Sequence, residues 1–330
     1  MKNKSILITG GTGSFGKAFT SYILQKYKNI RKIIIFSRDE FKQYEMSNSF
    51  SAKENEKLRF FIGDIRDKER LELALDSVDV VIHAAALKHV PIAEYNPFEF
   101  VKTNIFGANN LIEACLKKNV KNVIALSTDK AVSPINFYGA TKLCSDKLFC
   151  AANNIKGEKK IKFTVVRYGN VFASRGSAYS VFSGQYKKNK TILLTDKRMT
   201  RFNIFLEDAV KMVDWALKNS LGGEIFVPKL DCYKIIDFIR ALFPDANVKE
   251  IGIRPGEKLH EEMIAENDSN STFDLGNYYA VVNKFLIHKI YEKYEKNKKI
   301  KRVKSGFFLS SNQQNNFLSI KQLKENFKNK

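Results

Sequence analysis

Residues 5–16 read SILITGGTGSFG, a short apolar run that leads into a loop with Gly10, Gly13 and Gly16 spaced three apart. The apolar run predicts a buried strand. Glycines at this spacing allow a tight turn, a close backbone approach to a pyrophosphate, and close packing of the next helix on the strand. The N-terminus of that helix offers amides and a favourable dipole to an anion. We therefore expect a dinucleotide-binding loop, with contacts from Gly10, Thr12, Gly13, Ser14, Phe15 and Gly16.

Strands and helices continue to alternate from this loop through the first half of the chain. Apolar, β-branched runs predict five further strands, at 32–37, 58–64, 78–86, 122–128 and 162–170. Segments with helical spacing lie at about 16–27, 67–75, 97–118 and 137–154. Apolar strands that alternate with helices indicate a parallel sheet with right-handed crossovers. The predicted fold is therefore α/β, a doubly wound parallel sheet whose ligands bind beyond the carboxyl ends of the strands.

The same pattern divides the chain into three parts. Residues 1–170 form the predicted dinucleotide-binding Rossmann core. Residues 171–266 are predicted to form a region of mixed strands and helices that mainly caps the substrate site. Residues 267–330 are basic and weakly patterned.

Composition narrows the class of protein. With 44% hydrophobic and 28% charged residues the chain is typical of soluble globular proteins. No run approaches the roughly 18 apolar residues of a membrane span, and the N-terminus enters a strand at once, so we expect a cytoplasmic protein without an integral membrane segment. The net charge is +21, of which residues 284–330 contribute +10, from 13 Lys/Arg against 3 Glu. Because the excess lacks interleaved aromatic residues, we expect no nucleic-acid partner. The four cysteines lack metal-ligand spacing, so we expect no metal.

The end of the second strand, FSRDE (36–40), bears on the choice of cofactor. An acidic residue there typically holds the ribose hydroxyls of NAD, whereas arginine suits the 2′-phosphate of NADP. Ser37 and Arg38 come first and Asp39 lies just beyond, so we predict NADP. Asp64, at the end of the third strand, is expected to meet the adenine edge. Further cofactor contacts are expected from Lys42, Ile65, Ala84, Ala85, Lys88, Tyr138 and Lys142.

Tyr138 and Lys142 lie four residues apart in a predicted helix and therefore share one of its faces. An ammonium beside a phenol lowers the pKa of the phenol, which allows the tyrosine to act as a base toward a carbinol. Just upstream, the segment STDK (127–130) places the Asp129 carboxylate next to Lys130. Simple hydride transfer has no use for this pair, so the residues indicate a further chemical step.

The glycine loop together with Tyr138 and Lys142 resembles the extended short-chain dehydrogenase/reductase superfamily over about residues 4–265. The triplet at 128–130 is similar to that of the nucleotide-sugar 4,6-dehydratases. Several longer motifs resemble the UDP-N-acetylglucosamine 4,6-dehydratases, most closely the soluble C5-inverting group of pseudaminic acid biosynthesis. These motifs are AALKHVP (85–91), EYNP (94–97), SPINFYGATKL (133–143), SRGS (174–177), RMTRF (198–202) and RPGEKLHE (254–261).

This resemblance implies an NADP-dependent hydro-lyase. Tyr138, with Lys142 beside it, would take the C4 hydroxyl proton of the sugar while the C4 hydride goes to NADP⁺, and the resulting ketone acidifies the C5 proton. Lys130 would remove that proton, and Asp129 would protonate the departing C6 hydroxyl, with Thr128 near the C4 oxygen. The hydride then returns to C6. A neutral Lys130 requires that burial or a neighbouring cation lower its pKa, and the two residues can titrate as a unit.

The resemblance also assigns the contacts with UDP-N-acetylglucosamine. Arg175 and Arg254 can grip a diphosphate in bidentate fashion. The full expected set is Lys88, Thr128, Tyr138, Asn170, Ser174, Arg175, Gly176, Ser177, Arg201, Arg254 and Glu257. The chain departs from the family pattern at Ala173, Ala178, Ser180 and Asn203, in the loops predicted to face the uridine and the sugar. If the protein used its substrate slowly or used a different one, we would expect these four substitutions to be the cause.

Three other interpretations stay open at this stage. A C4-epimerase would share the glycine loop and Tyr138, yet it needs no pair such as Asp129 and Lys130. A C5-retaining dehydratase would give the other epimer, although its membrane-anchored members typically carry Met in place of the tyrosine. A non-enzymatic protein would bind NADP without turnover. Relatives usually assemble through helices such as 97–118 and 137–154, so we expect a homo-oligomer.

Overall fold

A computed structural model of the chain describes residues 2–172, 176–313 and 317–328. The strands are β1 Ser5–Thr9, β2 Lys32–Ser37, β3 Leu58–Ile62, β4 Val80–His83, β5 Asn122–Thr128, β6 Lys162–Tyr168, β7 Asn170–Val171, β8 Thr191–Leu194, β9 Thr200–Ile204, β10 Ile225–Pro228, β11 Cys232–Lys234, β12 Asn247–Glu250, β13 Glu262–Ile264, β14 Thr272–Asp274, β15 Tyr278–Val281, β16 Lys301–Arg302 and β17 Leu309–Ser310.

Helices connect most of these strands. They are α1 Ser14–Lys26, α2 Glu40–Asn48, α3 Ala52–Asn55, α4 Lys68–Ala74, α5 Val90–Tyr95, α6 Pro97–Phe100, α7 Gly107–Lys117, α8 Phe137–Ile155, α9 Ala178–Asn189, α10 Leu206–Asn219, α11 Ile235–Leu242, α12 His288–Glu295 and α13 Ile320–Lys328. Within the described residues no helix is long and apolar enough to cross a membrane.

The central sheet confirms the doubly wound α/β prediction. Its order across the described strands is β16-β14-β15-β10-β6-β5-β4-β1-β2-β3. The seven strands from β10 to β3 are parallel, whereas β15, β14 and β16 are antiparallel to their neighbours. Strand residues such as Ile6, Leu7 and Ile8 are completely buried because helices cover both faces of the sheet. The order reverses between β1 and β4, which is where such sheets open a ligand crevice.

The long helix predicted over 97–118 is interrupted. A π-helical segment, Val101–Phe106, lies between α6 and α7. It turns the Asn104 side chain toward the loop after β4, where Oδ1 accepts from the Leu87 amide and Nδ2 donates to the Leu87 carbonyl, both at 2.9 Å. Nδ2 also donates to Thr141 on α8 at 3.0 Å. One side chain therefore ties the cofactor-side loop to the helix that carries Tyr138.

We use the word cap for a group of elements outside the central sheet that follow β6, namely β7, β8, β9, β11, β12, β13, β17, α9, α11 and α13. Strands β7, β9 and β11 form a small sheet, and β13 pairs with β17. Helix α13 packs against α11, and its Phe327 ring joins Phe172, Phe205 and Phe238 in an aromatic cluster. Residues 267–328, whose sequence is weakly patterned, thus contribute strands to the central sheet and a helix to the cap.

Candidate active site

The glycine loop has the geometry that a pyrophosphate requires. Gly10 has φ +64°, a left-handed conformation that favours glycine, and its amide donates to the Phe36 carbonyl at 2.8 Å. A Cβ on Gly10 would lie 2.9 Å from the Ala85 backbone, and one on Gly16 would lie 2.3 Å from the Gly11 carbonyl oxygen. Gly13 and Ser14, at the start of α1, are exposed. The loop therefore fits a dinucleotide at the helix N-terminus.

The residues that end β2 divide into buried and exposed groups. Ser37 is buried, and its hydroxyl accepts a hydrogen bond from Gln43 at 3.0 Å. The Arg38 side chain is 56% exposed, with its guanidinium 3.8 Å from Asp64. The Asp39 carboxylate caps α2 through the Lys42 amide and also pairs with the Lys42 ammonium. Asp39 is thus already paired, whereas Arg38 extends toward solvent.

The end of β3 holds a second acidic side chain. Asp64 accepts hydrogen bonds from Arg66, at 2.9 Å from the backbone amide and 2.6 Å from the guanidinium. Partial burial acts to raise the pKa of Asp64, but the bonds from Arg66 outweigh it and the pKa is lowered. Ile65 is buried beneath Gly107 of α7. Asp64 therefore stays anionic and lies between Arg38 and Arg66 at the cofactor edge.

The segment after β5 brings three predicted catalytic residues together. Thr128 Oγ1 donates to Asp129 Oδ1 at 2.9 Å and accepts from the Lys130 amide at 3.3 Å. Lys130 Nζ lies 3.1 Å from Asp129 Oδ1 and 3.3 Å from Asn170 Oδ1. Asp129 is fully buried, while the Lys130 side chain is 23% exposed. The structure thus joins the predicted acid, the predicted base and Asn170 in one hydrogen-bonded group.

Glu261, which the sequence analysis did not assign, also belongs to this group. It is 2% exposed and its Oε1 lies 3.3 Å from Lys130 Nζ and 3.6 Å from Arg201 Nε. Glu261 is the last residue of the motif RPGEKLHE and directly precedes β13. The sequence signal that could have indicated it is an acidic residue at the start of a strand. We call Asp129, Lys130, Arg201 and Glu261 the buried ion cluster.

The buried ion cluster sets the charges at the site. Burial raises the pKa of Asp129, against the opposing effect of Lys130. Burial also acts to lower the pKa of Lys130, but the carboxylates of Asp129 and Glu261 outweigh it and the shift is upward. The lowered pKa that a basic Lys130 requires is therefore not found, since the shift is in the opposite direction. Lys130 stays protonated because two carboxylates lie next to its ammonium group.

Tyr138 and Lys142 lie on α8, with both side chains buried. Burial raises the pKa of Tyr138 to about 12, although the Lys130 charge and a hydrogen bond with Thr128 act to lower it. The Lys142 ammonium donates to the Leu126 carbonyl at 2.8 Å, and burial lowers its pKa. The expected fall in the phenol pKa is therefore not found, although the charge of Lys130 acts to lower that pKa.

The structure describes only some of the remaining predicted substrate residues. Lys88, Gly176 and Arg254 are exposed, and Ser177 caps α9. Ser174, Arg175 and the substituted Ala173 lie outside the described residues. Arg201 is 5% exposed and donates to three backbone carbonyls, those of Thr200, Lys258 and Leu259. Its direct contact with a substrate stays a prediction.

Of the other departures from the family pattern, Ala178 and Ser180 lie in the first turn of α9, where the Ser180 amide donates to Ser177 Oγ at 3.4 Å. Asn203 is buried on β9 opposite Asn170. One oxygen of the half-buried Glu257 is buried and finds no hydrogen-bond donor among the described residues. These positions lie on the cap, on the same side of the sheet as the buried ion cluster.

This combination defines a Rossmann-type enzyme fold of the extended short-chain dehydrogenase/reductase class. The structure resembles the X-ray structure of Pen from Bacillus thuringiensis, with a TM-score of 0.90, 36% identity and coverage of 99% of this chain and 98% of that one. It also has the fold of DesIV, a dTDP-glucose 4,6-dehydratase from Streptomyces venezuelae solved with NAD and TYD bound. There the TM-score is 0.70 at 21% identity, covering 89% and 98% of the two chains.

Sequence comparison narrows the family further. Residues 6–283 match the sequence profile of a protein family described as polysaccharide biosynthesis protein. A UDP-N-acetylglucosamine 4,6-dehydratase (inverting) from Campylobacter jejuni is 54% identical over 98% of this chain and 96% of its own length. A UDP-glucose 4-epimerase from Rickettsia canadensis is 41% identical over 84% of this chain and 83% of its own. The chain belongs to the family of the inverting UDP-N-acetylglucosamine 4,6-dehydratases.

Proposed function

We propose that this chain converts UDP-N-acetylglucosamine to UDP-2-acetamido-2,6-dideoxy-β-L-arabino-hex-4-ulose, the first step of pseudaminic acid synthesis. The observation that carries the proposal is the pairing of Asp129 with Lys130 beside the buried Tyr138. An enzyme that only moved a hydride would need Tyr138 and Lys142 alone. The identity with the dehydratases of Campylobacter jejuni, 54% and 53% over nearly the whole chain, supports the same substrate.

The proposed cofactor is NADP, held by the glycine loop, Ser37, Arg38 and Lys142. When bound, it would supply reversible hydride acceptance for the sugar. Two features support NADP over NAD. Arg38 is exposed at the end of β2, and the Asp39 carboxylate, which could otherwise hold a ribose, is paired with Lys42.

Tyr138 is the proposed base for the C4 hydroxyl. Burial raises the pKa of its phenol and so keeps it protonated. The positive charge of an oxidised nicotinamide, when the cofactor is bound, would favour the phenolate form of Tyr138, as the charge of Lys130 already does. The Lys142 ammonium lies one helical turn away and is held by Leu126, so it is oriented before any ligand arrives. Oxidation at C4 then makes the C5 proton acidic.

Lys130 and Asp129 are the proposed base and acid of the elimination. The C–H bond at C5 breaks as Lys130 takes the proton, and the C6–O bond breaks as Asp129 gives a proton to the departing hydroxyl, which leaves as water. The double bond between C5 and C6 would then take back the hydride at C6 and a proton at C5, and inversion requires that this proton add from the face opposite to abstraction. Transfer of one proton from Lys130 to Asp129, whose nearest atoms lie 3.1 Å apart, prepares both residues at once. The pair therefore titrates as a unit.

The test is incubation of the purified protein with UDP-N-acetylglucosamine in D₂O, followed by proton NMR. A 6-deoxy methyl signal, loss of the C4 proton and coupling constants of an L-arabino ring are the expected result. A xylo ring would keep the dehydratase and overturn the inversion at C5. Absence of the methyl signal, with NADP bound, would overturn the proposed reaction and leave the substituted cap positions as the first explanation.

A C4-epimerase is the second candidate, since UDP-glucose 4-epimerases of Rickettsia are 41–44% identical over 84% of this chain. It would return UDP-N-acetylgalactosamine in the same experiment, with no methyl signal. The buried ion cluster argues against it because epimerisation at C4 moves no C5 proton.

We also propose that the chain assembles into a homo-oligomer. Large apolar side chains are exposed along the segment from α5 to the start of α7, namely Ile92 at 52%, Tyr95 at 87%, Phe98 at 59% and Phe106 at 53%. Several large apolar side chains exposed within one short segment are typical of an interaction surface. Sedimentation of the wild type and of a Phe98→Glu variant tests this, with the variant expected to be the smaller species.

A further inference from the structure

The buried ion cluster contains a carboxylate that the proposed reaction does not use. Glu261 is 2% exposed, and one of its oxygens, Oε2, finds no hydrogen-bond donor among the described residues. A buried carboxylate with an unpaired oxygen costs folding free energy, so its retention calls for a reason. Its other oxygen faces two cations, Lys130 at 3.3 Å and Arg201 at 3.6 Å.

We propose that Glu261 is a positioning residue that holds the Lys130 ammonium at the site and stabilises the positive charge that develops on Lys130 as it takes the C5 proton. This inference rests on the proposed function only for the identity of that proton. Positive charge develops on Lys130 Nζ during the proton abstraction. Glu261 Oε1 already lies 3.3 Å from this atom. Fixed charges next to a developing charge lower a barrier because no reorganisation is needed.

The position of Glu261 is fixed from the other end of the chain. Its backbone amide donates to Ser311 Oγ at 2.9 Å, and its carbonyl accepts from the Ser311 amide at 2.8 Å. Ser311 directly follows β17, which pairs with β13. Its hydroxyl also contacts Thr200, next to Arg201 on β9. The C-terminal segment thus fixes the carboxylate and holds it beside its second cation.

Several charged or titratable groups of the described residues act on Lys130 or on Glu261. Asp129 precedes Lys130 in the same turn, and Arg201, from β9, limits how far Glu261 raises the pKa of Lys130. Tyr138 of α8 and Tyr233 of β11 are buried and protonated, and Lys258 adds a third positive charge near Glu261, after Lys130 and Arg201. Removal of the Glu261 charge alone should therefore lower the pKa of Lys130, because the cations around it stay in place.

The first test needs no substrate. Lys130 is 23% exposed, so acetic anhydride labelling followed by peptide mass spectrometry measures the pH at which its amine becomes reactive. Glu261→Gln should shift that pH downward by at least one unit. Glu261→Asp keeps the charge and should stay nearer the wild type, while Glu262→Gln, which removes a neighbouring charge outside the cluster, should leave it unchanged. A labelling profile for Glu261→Gln that matches the wild type overturns the proposal, as does an equal shift in Glu261→Asp.

The second test uses turnover. With UDP-N-acetylglucosamine, Glu261→Gln should lower the kcat about 10- to 100-fold, slow deuterium entry at C5 and let the reduced cofactor accumulate, since oxidation at C4 does not involve Lys130. The pH at which the activity of Glu261→Gln declines on the alkaline side of its pH profile should be lower than for the wild type. Equal loss of oxidation at C4 and exchange at C5, in a folded variant, would show a general structural role and overturn the proposal. A wild type without dehydration product would refute the proposed function alone, because the labelling result stands apart from it.

Discussion

Asp129 Oδ1 and Lys130 Nζ lie 3.1 Å apart at the end of β5, and the second oxygen of Asp129 has no hydrogen-bond donor among the described residues. Asp129→Asn removes the proton donor for the C6 hydroxyl and should lower dehydration by about 10²- to 10⁴-fold. Oxidation at C4 should continue, so the absorbance of the reduced cofactor should rise and persist. NMR of the product and absorbance of the cofactor measure the two steps.

Asp76→Asn is the control for this change because the Asp76 side chain is 76% exposed and precedes the amino end of β4, whereas Asp129 follows the carboxyl end of β5. If Asp129→Asn formed product at the rate of the control, Asp129 would not be the acid.

Tyr138→Phe should stop the reaction at the earlier step. The variant lacks the phenol oxygen that takes the C4 hydroxyl proton, and a fall of about 10²- to 10⁴-fold is expected, without any reduced cofactor. The ring packs edge-on against Phe100, with centroids 6.5 Å apart, so the fold should be kept. Calorimetry should show unchanged affinity for UDP-N-acetylglucosamine. Reduced cofactor formed at the wild-type rate would assign the base elsewhere, and Tyr44→Phe, at a residue 64% exposed, is the matched control.

Arg38→Ala should change the preference between the cofactors. If Arg38 holds the 2′-phosphate, its loss should weaken NADP binding about 10-fold, the effect of about 1.4 kcal/mol in one charge-assisted contact, and leave NAD binding nearly unchanged. Titration of the cofactor-free protein with each nucleotide measures this. Arg59→Ala is the control, since the Arg59 guanidinium donates to the backbone carbonyls of Glu56 and Leu58. Equal weakening of NAD and NADP would contradict the assignment.

His83 makes stability depend on pH. It is buried with Nδ1 2.8 Å from Thr9 Oγ1, and burial together with the Lys142 charge lowers the pKa of His83 from 6.5 to about 3. The unfolded chain takes up this proton near pH 6.5 and the folded chain only near pH 3. The His83 contribution to stability is therefore complete above about pH 6.5 and is lost as the pH falls toward 3, by roughly 1.4 kcal/mol per pH unit.

Urea unfolding of the wild type and of His83→Gln between pH 4.5 and 7.5 should give a shallower pH dependence for the variant. Two parallel curves would show that His83 titrates normally in the folded protein.

Phe327 should be required for a stable cap. It is 5% exposed on α13, and its ring lies 4.5 Å from Phe172 and 5.3 Å from Phe205 and Phe238 between centroids. Truncation to Ala should lower the free energy of unfolding by about 3–5 kcal/mol because it leaves a cavity. Phe285→Ala, at a residue 97% exposed, should change it by less than about 0.5 kcal/mol. Equal urea midpoints for the two variants would mean that α13 does not pack on the cap.

The sequence predicted most of the parallel sheet and the group at the end of β5, because both have local signals. Apolar runs predict buried strands, and a tyrosine and a lysine four residues apart share a helix face. The C-terminal segment lacked such a signal. Its strands β14 and β15 are three and four residues long, and β16 and β17 have two residues each, so their pairing depends on tertiary contacts.

What the sequence determined by itself is the chemistry available at the carboxyl ends of the strands. Residues such as Asp129, Lys130 and Tyr138 are near one another in the chain, and their spacing places them together once β5 and α8 form. The tertiary structure alone decided their proton states. Glu261 lies 131 residues from Lys130 and Arg201 lies 71 residues from it, yet Glu261 contacts Lys130 and Arg201 contacts Glu261 in the buried ion cluster. Charges interact through space and their strength depends on burial, so no local pattern could show that Lys130 stays protonated between two carboxylates.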